Sequence, residues 1–183
     1  MGKPTLQPIA PDELPDLLAR LDDGRTTNLA LIGREIPLST SPDDWPEELR
    51  SRVVYRLTGE LSGLPRELLR LDRLQTLTLW LLGLRDADAA AIAEQLGQLT
   101  SLDLGGNKVG DAGARAIAKH LRQLTSLKLS DNDVGDEAVT AIGQHLTGLV
   151  YLDLGSNKRI TTISPLARLP LSMLNIAETG VAD

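Results

Sequence analysis

The chain of 183 residues contains no cysteine. That excludes disulfide staples and thiolate metal sites, and it fits a reducing compartment. Phenylalanine is also absent and aromatic residues make up only 2% of the chain, so aliphatic side chains have to build the core. There is no excess of basic charge. Residues 1–73 carry ten Lys or Arg against thirteen Asp or Glu, residues 74–183 nine against twelve, and each half is net −3. Phosphate-backbone binding draws its affinity from clustered cations, so this balance argues against a nucleic-acid partner. The arginines of the first half (Arg50, Arg52 and Arg56, then Arg66, Arg70 and Arg73) are interleaved with Glu47, Glu48, Glu60, Glu67 and Asp72, and read as mixed-charge surface. No apolar stretch reaches the ~18 residues of a membrane span, and none follows Met1-Gly2-Lys3 as it would in a secretory leader. The expectation is a single cytoplasmic domain with no membrane partner.

Leucine recurs at a fixed period. Residues 99–123, LTSLDLGGNKVGDAGARAIAKHLRQ, and residues 124–148, LTSLKLSDNDVGDEAVTAIGQHLTG, agree at 13 of 25 positions without a gap. Residues 74–98 fit the same frame, with Leu74, Leu77, Leu79 and Leu84 recurring as Leu99, Leu102, Leu104 and Val109. A shorter unit of 22 residues follows at 149–170, and an incomplete one at 171–183. In each unit L-x-x-L-x-L alternates with period two, as a short half-buried strand does. Asn107, Asn132 and Asn157 then close the strands, where an inward amide can satisfy backbone groups released as the chain turns. Gly110-Asp111 and Gly135-Asp136 supply a turn residue and an expected helix N-cap, with Asp86 at the equivalent position. Ala89, Ile92, Ala93 and Leu96 switch to helical spacing, as do Ala114, Ile117, Ala118 and Leu121, and then Val139, Ile142, Gly143 and Leu146.

Repetition of strand, turn and helix predicts an α/β solenoid, with parallel strands on one face and helices on the other. Residues 1–25 are expected to form a capping helix over Pro11–Asp23, with the stripe Leu14, Leu17, Leu18 and Leu21 ended by Gly24. Residues 26–73 read as irregular, degenerate repeats. One unit spans 51–73 and carries Leu61, Leu64, Pro65, Leu68 and Leu71; a weaker one begins near Leu29-Ala30-Leu31. Pro37, Pro42 and Pro46 around Trp45 predict an irregular connection into a short helix, Glu47–Val54. Residues 74–183 form the repeat region, and no covering helix follows Thr179-Gly180-Val181. The edge there is expected either to continue into a longer protein or to pair with a second copy as a homodimer.

The segments at 99–121 and 124–146 resemble leucine-rich repeats of the bacterial GALA or ribonuclease-inhibitor-like kind. The 22-residue unit, with Asn157 and Ile160 to Leu166, resembles the internalin style of repeat. The mixture is similar to repeat regions attached to bacterial Roco-type GTPases. One departure stands out: Leu82 replaces the Asn in the 74–98 unit, so its turn must be built differently or be covered by its neighbour. The resemblance implies a leucine-rich-repeat horseshoe, with the parallel sheet concave, the helices convex, and a partner bound on the strand face.

The frame places Tyr55, Thr78, Asp103, Lys128, Asp153 and Asn175 in one outward column, with Thr76, Ser101, Ser126, Tyr151 and Met173 beside it and Trp80 and Leu81 at a strand exit. Tyr55, Trp80 and Tyr151 are candidate partner contacts, since exposed aromatics on a rigid sheet make hot spots. Trp80 could instead fill space around Leu82. Asp103, Lys128 and Asp153 lie on successive strands and are either further contacts or a ladder of exposed ion pairs. His120 and His145 share a helical-face position, with neighbouring helix axes ~10 Å apart, too far for both to ligate one metal. Leu104-Gly105-Gly106-Asn107 lacks the spacing of a phosphate loop. No catalytic constellation, metal or cofactor is expected. The leading expectation is a non-enzymatic scaffold that binds a protein or peptide. The alternatives are a regulatory repeat module of a larger, GTPase-containing protein, or a GTPase-activating repeat protein resembling those that act on Ran.

Overall fold

A computed structural model of the chain describes residues 6–22, 25–33, 53–57, 61 and 63–182. From residue 74 onward the sequence period becomes the strand register. β4 (Thr76–Trp80), β5 (Ser101–Asp103), β6 (Ser126–Lys128) and β7 (Tyr151–Asp153) lie side by side and parallel, pairing Thr76 with Ser101, Ser101 with Ser126 and Ser126 with Tyr151. β8 (Met173–Asn175) completes the series, with Tyr151 opposite Met173 after the shorter unit. Each crossover is a helix or a tight turn on the opposite face. These are α2 (Asp86–Gln95), α3 (Asp111–His120), α4 (Asp136–His145) and a 3₁₀ turn, Ser164–Leu166, in place of a fourth helix.

The core is a stack of identical layers. Leu77, Leu102, Leu127 and Leu152 point inward from successive strands, Leu79, Leu104, Leu129 and Leu154 follow two residues on, and all eight are fully buried. Ile92, Ile117 and Ile142 meet them from the helices, and are equally buried. Burying a Leu or Ile contributes roughly 1.5–3 kcal/mol, so these layers form from aliphatic side chains without a buried aromatic. Small residues set the helix spacing. Ala93 and Ala118 become Gly143 in the last helical unit, where a Cβ would strike the carbonyl oxygen of Pro165 in the 3₁₀ turn. The glycine therefore goes with the 22-residue repeat, whose compact second half brings backbone against α4.

The N-terminal part follows another order. β1 (Leu6–Ile9), α1 (Leu14–Leu21), β2 (Asn28–Ile32) and β3 (Val53–Leu57) precede β4, yet among the described residues the eight strands of the sheet run in the order β1-β3-β2-β4-β5-β6-β7-β8. The strand beside β4 is β2, with Leu29 opposite Leu77 and Leu31 opposite Leu79, and β3 lies beyond it. The helical side of the same layer comes from the later segment. Leu68 and Leu71 are buried there, and the 3₁₀ turn Leu68–Arg70 packs against α2. The layer before the first regular repeat is thus a composite, its strand from one stretch of chain and its convex side from another. β2 suits a central position because Leu29, Ala30, Leu31 and Ile32 are all fully buried, as a strand covered on both faces requires.

α1 carries Leu14 and Leu18 fully into the core, with Leu17 and Leu21 partly buried. Asp23 and Gly24, the expected end of that helix, lie outside the described residues, as does the connection through Pro37, Pro42 and Trp45. Of the expected helix Glu47–Val54, residues 47–52 also lie outside them, and Val53 and Val54 begin β3 instead. Among the described residues no helix is long and apolar enough to cross a membrane.

Candidate functional site

Two ladders of side chains tie each repeat to the next, and they position the open face of the sheet. Asn107 donates from Nδ2 to the carbonyls of Leu79 (2.8 Å), Leu104 (2.8 Å) and Gly105 (3.2 Å), while its Oδ1 accepts the amides of Leu82 (3.0 Å) and Leu84 (3.1 Å). Asn132 reaches back to Leu104 and Val109 in the same way, and Asn157 to Leu129 and Val134. Each asparagine therefore serves the turn of the preceding repeat as well as its own. This resolves the departure at Leu82: its turn is closed by Asn107 from the neighbouring unit, and the leucine side chain is buried.

The second ladder corrects the expected N-caps. Gly110 and Gly135 occupy the N-cap positions, and Asp111 and Asp136 are the first helical residues. Their carboxylates reach across to the next unit. Asp86 Oδ1 accepts the amides of Gly110 (2.7 Å) and Gly113 (2.9 Å), and Asp111 Oδ1 those of Gly135 (2.8 Å) and Ala138 (3.1 Å). An acidic group here meets the positive end of the following helix. In the short unit Asp136 receives the amides of Thr161 and Thr162 and the Thr161 hydroxyl at 2.6 Å. The Thr161 hydroxyl, then its amide, hold the Asp136 carboxyl below the usual carboxylate range. Arg159 bridges two carboxylates, pairing with Asp111 at 2.9 Å and with Asp133 at 3.4 Å.

The open face presents the expected column from β4 to β8, with one correction at its start. Thr78, Asp103, Lys128, Asp153 and Asn175 stand opposite one another in register. Tyr55 does not belong to that column. It pairs with Leu31, which pairs with Leu79, so it has the parity of the core-facing residues. A slip of one residue moves a side chain to the other face of a sheet. Tyr55 is 7% exposed, in a cleft with Leu17 and Arg20 of α1, and burial raises its phenol pKa against the opposing pull of Arg20. The open face is also closed at its N-terminal end, since Ala30, Ile32 and Thr78 are buried.

Further along, polar and apolar groups converge. Asp103, only 6% exposed, accepts the Gly105 amide and lies 3.8 Å from the Lys128 ammonium. That ammonium also sits 5.3 Å from the centre of the Tyr151 ring, within cation–π range. Asp153 accepts the Gly155 amide at 3.0 Å and the Asn175 side-chain amide at 2.8 Å. Trp80 and Tyr151 are half-buried. Leu81 is 37% exposed and Met173 55%.

At the strand exits these groups border a notch of about 300 Å³, walled by Trp80 and Leu81 on one side and by Asp103, Lys128, Asp131 and Asp153 on the other. Trp80 therefore stands at the rim of the notch, while Asn107 meets the needs of the turn at Leu82. Leu81 occupies the left-handed region (φ 52°), as do Gly106, Asp131, Ser156 and Glu178 at the matching turns. For leucine this conformation costs roughly 1–2 kcal/mol. Its side chain lies where a Cβ on Gly106 would be, so a larger residue at that position would push the Leu81 side chain aside. Asp131 escaped the sequence reading, although its place in the turn beside Gly106 and Ser156 could have marked it. His120 and His145 lie at the C-terminal ends of α3 and α4, away from this face.

A family model described as "Leucine Rich repeat" matches residues 99–118 and 120–143. A search of curated proteins gives no match. Among solved structures, internalin C2 of Listeria monocytogenes is similar at 24% identity and a TM-score of 0.52, over 72% of this chain and 55% of that one. A leucine-rich-repeat protein of Leptospira interrogans is similar at 21% identity and a TM-score of 0.51, over 88% of this chain and 50% of that one. The chain spans about half the length of each, and at these identities the likeness is one of fold. With leucine-rich repeats matched within 99–143, a parallel sheet and one-sided helices, the chain folds as an α/β leucine-rich-repeat solenoid.

Proposed function

We propose that the chain is a non-enzymatic scaffold whose open sheet face, concave in a horseshoe, binds a protein or peptide. The observation that carries this reading is the distribution of accessible apolar surface. Trp80, Leu81, Tyr151 and Met173 are presented on or beside the strand face around the Asp103–Lys128–Asp153 column. On the helical side, by contrast, Arg115 and Glu137 form an exposed ion pair. Aromatic anchors on a rigid platform within a polar frame are what a protein interface requires. Stacked repeats provide such a platform because each unit is held by its neighbours.

The test compares a double variant, Trp80→Ala with Tyr151→Ala, against a helical-side variant, Arg115→Ala with Glu137→Ala. Partner capture should fall for the first and hold for the second, with the helical circular dichroism signal unchanged in both. The opposite pattern would overturn the assignment of the face.

A further inference from the structure

Resting on that reading, we infer that the notch at the exits of β4 to β7 is an anchor pocket for one basic side chain, an arginine, of the bound protein or peptide. Three carboxylates, Asp103, Asp131 and Asp153, border it against one ammonium, that of Lys128. That ammonium is already engaged with Asp103 and with the Tyr151 ring, so the local balance is acidic. Asp103 and Asp153 each use one oxygen to hold the chain two residues on, at Gly105 and Gly155. The Asp131 carboxylate is different. It is exposed, and it meets no donor among the described residues. The opposite wall is apolar, formed by Trp80 and by Leu81, and Leu81 is held in the strained turn conformation that matching turns give to glycine or to polar residues.

A guanidinium suits both walls at once. Its plane stacks on an indole, its edge donates to carboxylates, and its aliphatic stem covers apolar surface. A carboxylate ligand would face three like charges, and a purely apolar one would take water from Asp131 without replacing its hydrogen bonds. The volume of about 300 Å³ lies at the small end of ligand pockets and accommodates one long side chain.

The test titrates N-acetyl-arginine methylamide into the ¹⁵N-labelled chain and follows the Trp80 indole N–H, assigned with Trp80→Phe. N-acetyl-citrulline methylamide, which keeps the shape and loses the charge, and N-acetyl-glutamate methylamide are the controls. Arginine should shift the Trp80 signal saturably, citrulline should bind more weakly, and glutamate should not bind. Asp131→Asn should weaken arginine binding about fivefold, the scale of one solvent-accessible charged contact. Asparagine tolerates the left-handed conformation of this residue, so the turn is preserved. Equal binding of arginine and citrulline, or an unchanged affinity in Asp131→Asn, would overturn the proposal. If arginine shows no preference while Trp80→Ala with Tyr151→Ala still abolishes partner capture, the notch assignment falls and the sheet-face reading stands. If arginine binds as expected but the double variant captures its partner normally, the partner docks elsewhere and the notch is not its anchor.

Discussion

Between residues 74 and 175, neighbours in the repeat are neighbours in the sheet; before residue 74 they are not. The two regions share a parallel sheet and leucine-rich layers, yet only one keeps chain order. The difference lies in what joins successive units. In the regular repeats Asn107, Asn132 and Asn157 each clamp the turn before them, and Asp86, Asp111 and Asp136 each hold the helix or turn after them. These bonds run to backbone groups in the adjacent unit, so they also specify which unit must be adjacent. The strands β2 and β3 precede the first asparagine of the series. Their placement follows from which apolar faces fit the layer beside β4, and Leu29 and Leu31 of β2 occupy it.

The largest effect should come from a direct test of the strand order. The cysteine-free chain permits a clean pair, Ala30→Cys with Thr78→Cys, at directly opposed positions on β2 and β4. Adjacent strands ~4.8 Å apart suit a disulfide. Oxidation should crosslink this pair and raise stability by about 4 kcal/mol through the long loop it closes. The pair Val54→Cys with Thr78→Cys, separated by β2, should stay reduced. The reverse result, read by thiol titration and chemical denaturation, would restore sequential order.

Breaking a clamp comes next. Asn157→Ala leaves the Val134 amide and the carbonyls of Leu129, Leu154 and Gly155 without their amide partner in a fully buried position. A loss of roughly 3 kcal/mol is expected in urea unfolding, given about 1–3 kcal/mol for each buried group left unsatisfied. Gly143→Ala should cost about 1–3 kcal/mol by overpacking against Pro165. At the matching Ala118, a change to Gly should cost only about 1 kcal/mol of helix propensity. Equal effects at both sites would show that the short repeat does not dictate the glycine.

The smallest effect is a pH dependence. The folded-state pKa of Asp136 lies below its ordinary value, chiefly through the Thr161 hydroxyl and amide. Its contribution is therefore complete above the unfolded carboxylate pKa, near about 4. It is lost as the pH falls through the lower folded value. Asp136→Asn should be less stable than the parent chain at neutral pH, and the gap should close in acid. A gap that persists in acid would assign the effect to geometry instead of charge.

Much of this architecture was legible beforehand because the relevant physics is local. The leucine frame of 74–98, 99–123 and 124–148 marks strand, turn and helix by period alone, and its layers assemble in register. Asn107, Asn132 and Asn157 were recognisable as inward amides, though their dual service to two turns was not. Asp111 and Asp136 looked like caps of their own helices, since a sequence shows the nearest helix start and not the one stacked 24 or 25 residues later. Extending the frame to Tyr55 places it on the open face, but its strand does not follow that frame. A period-two element placed one residue out of phase reverses every side chain.

The repeat length, the residues of each core layer, the positions of the turns and the outward column from Thr78 to Asn175 are written in the chain's own period. All of these are consequences of hydrophobic period, chain stereochemistry and a constant offset between units. Folding of the whole sheet sets the rest: β2 borders β4, Tyr55 faces α1, the aspartates reach across to the next unit, and Leu81 and Asp131 meet around one notch. Those outcomes depend on contacts between segments with no shared period, where several parallel pairings bury similar apolar area and the packing of the whole sheet selects among them.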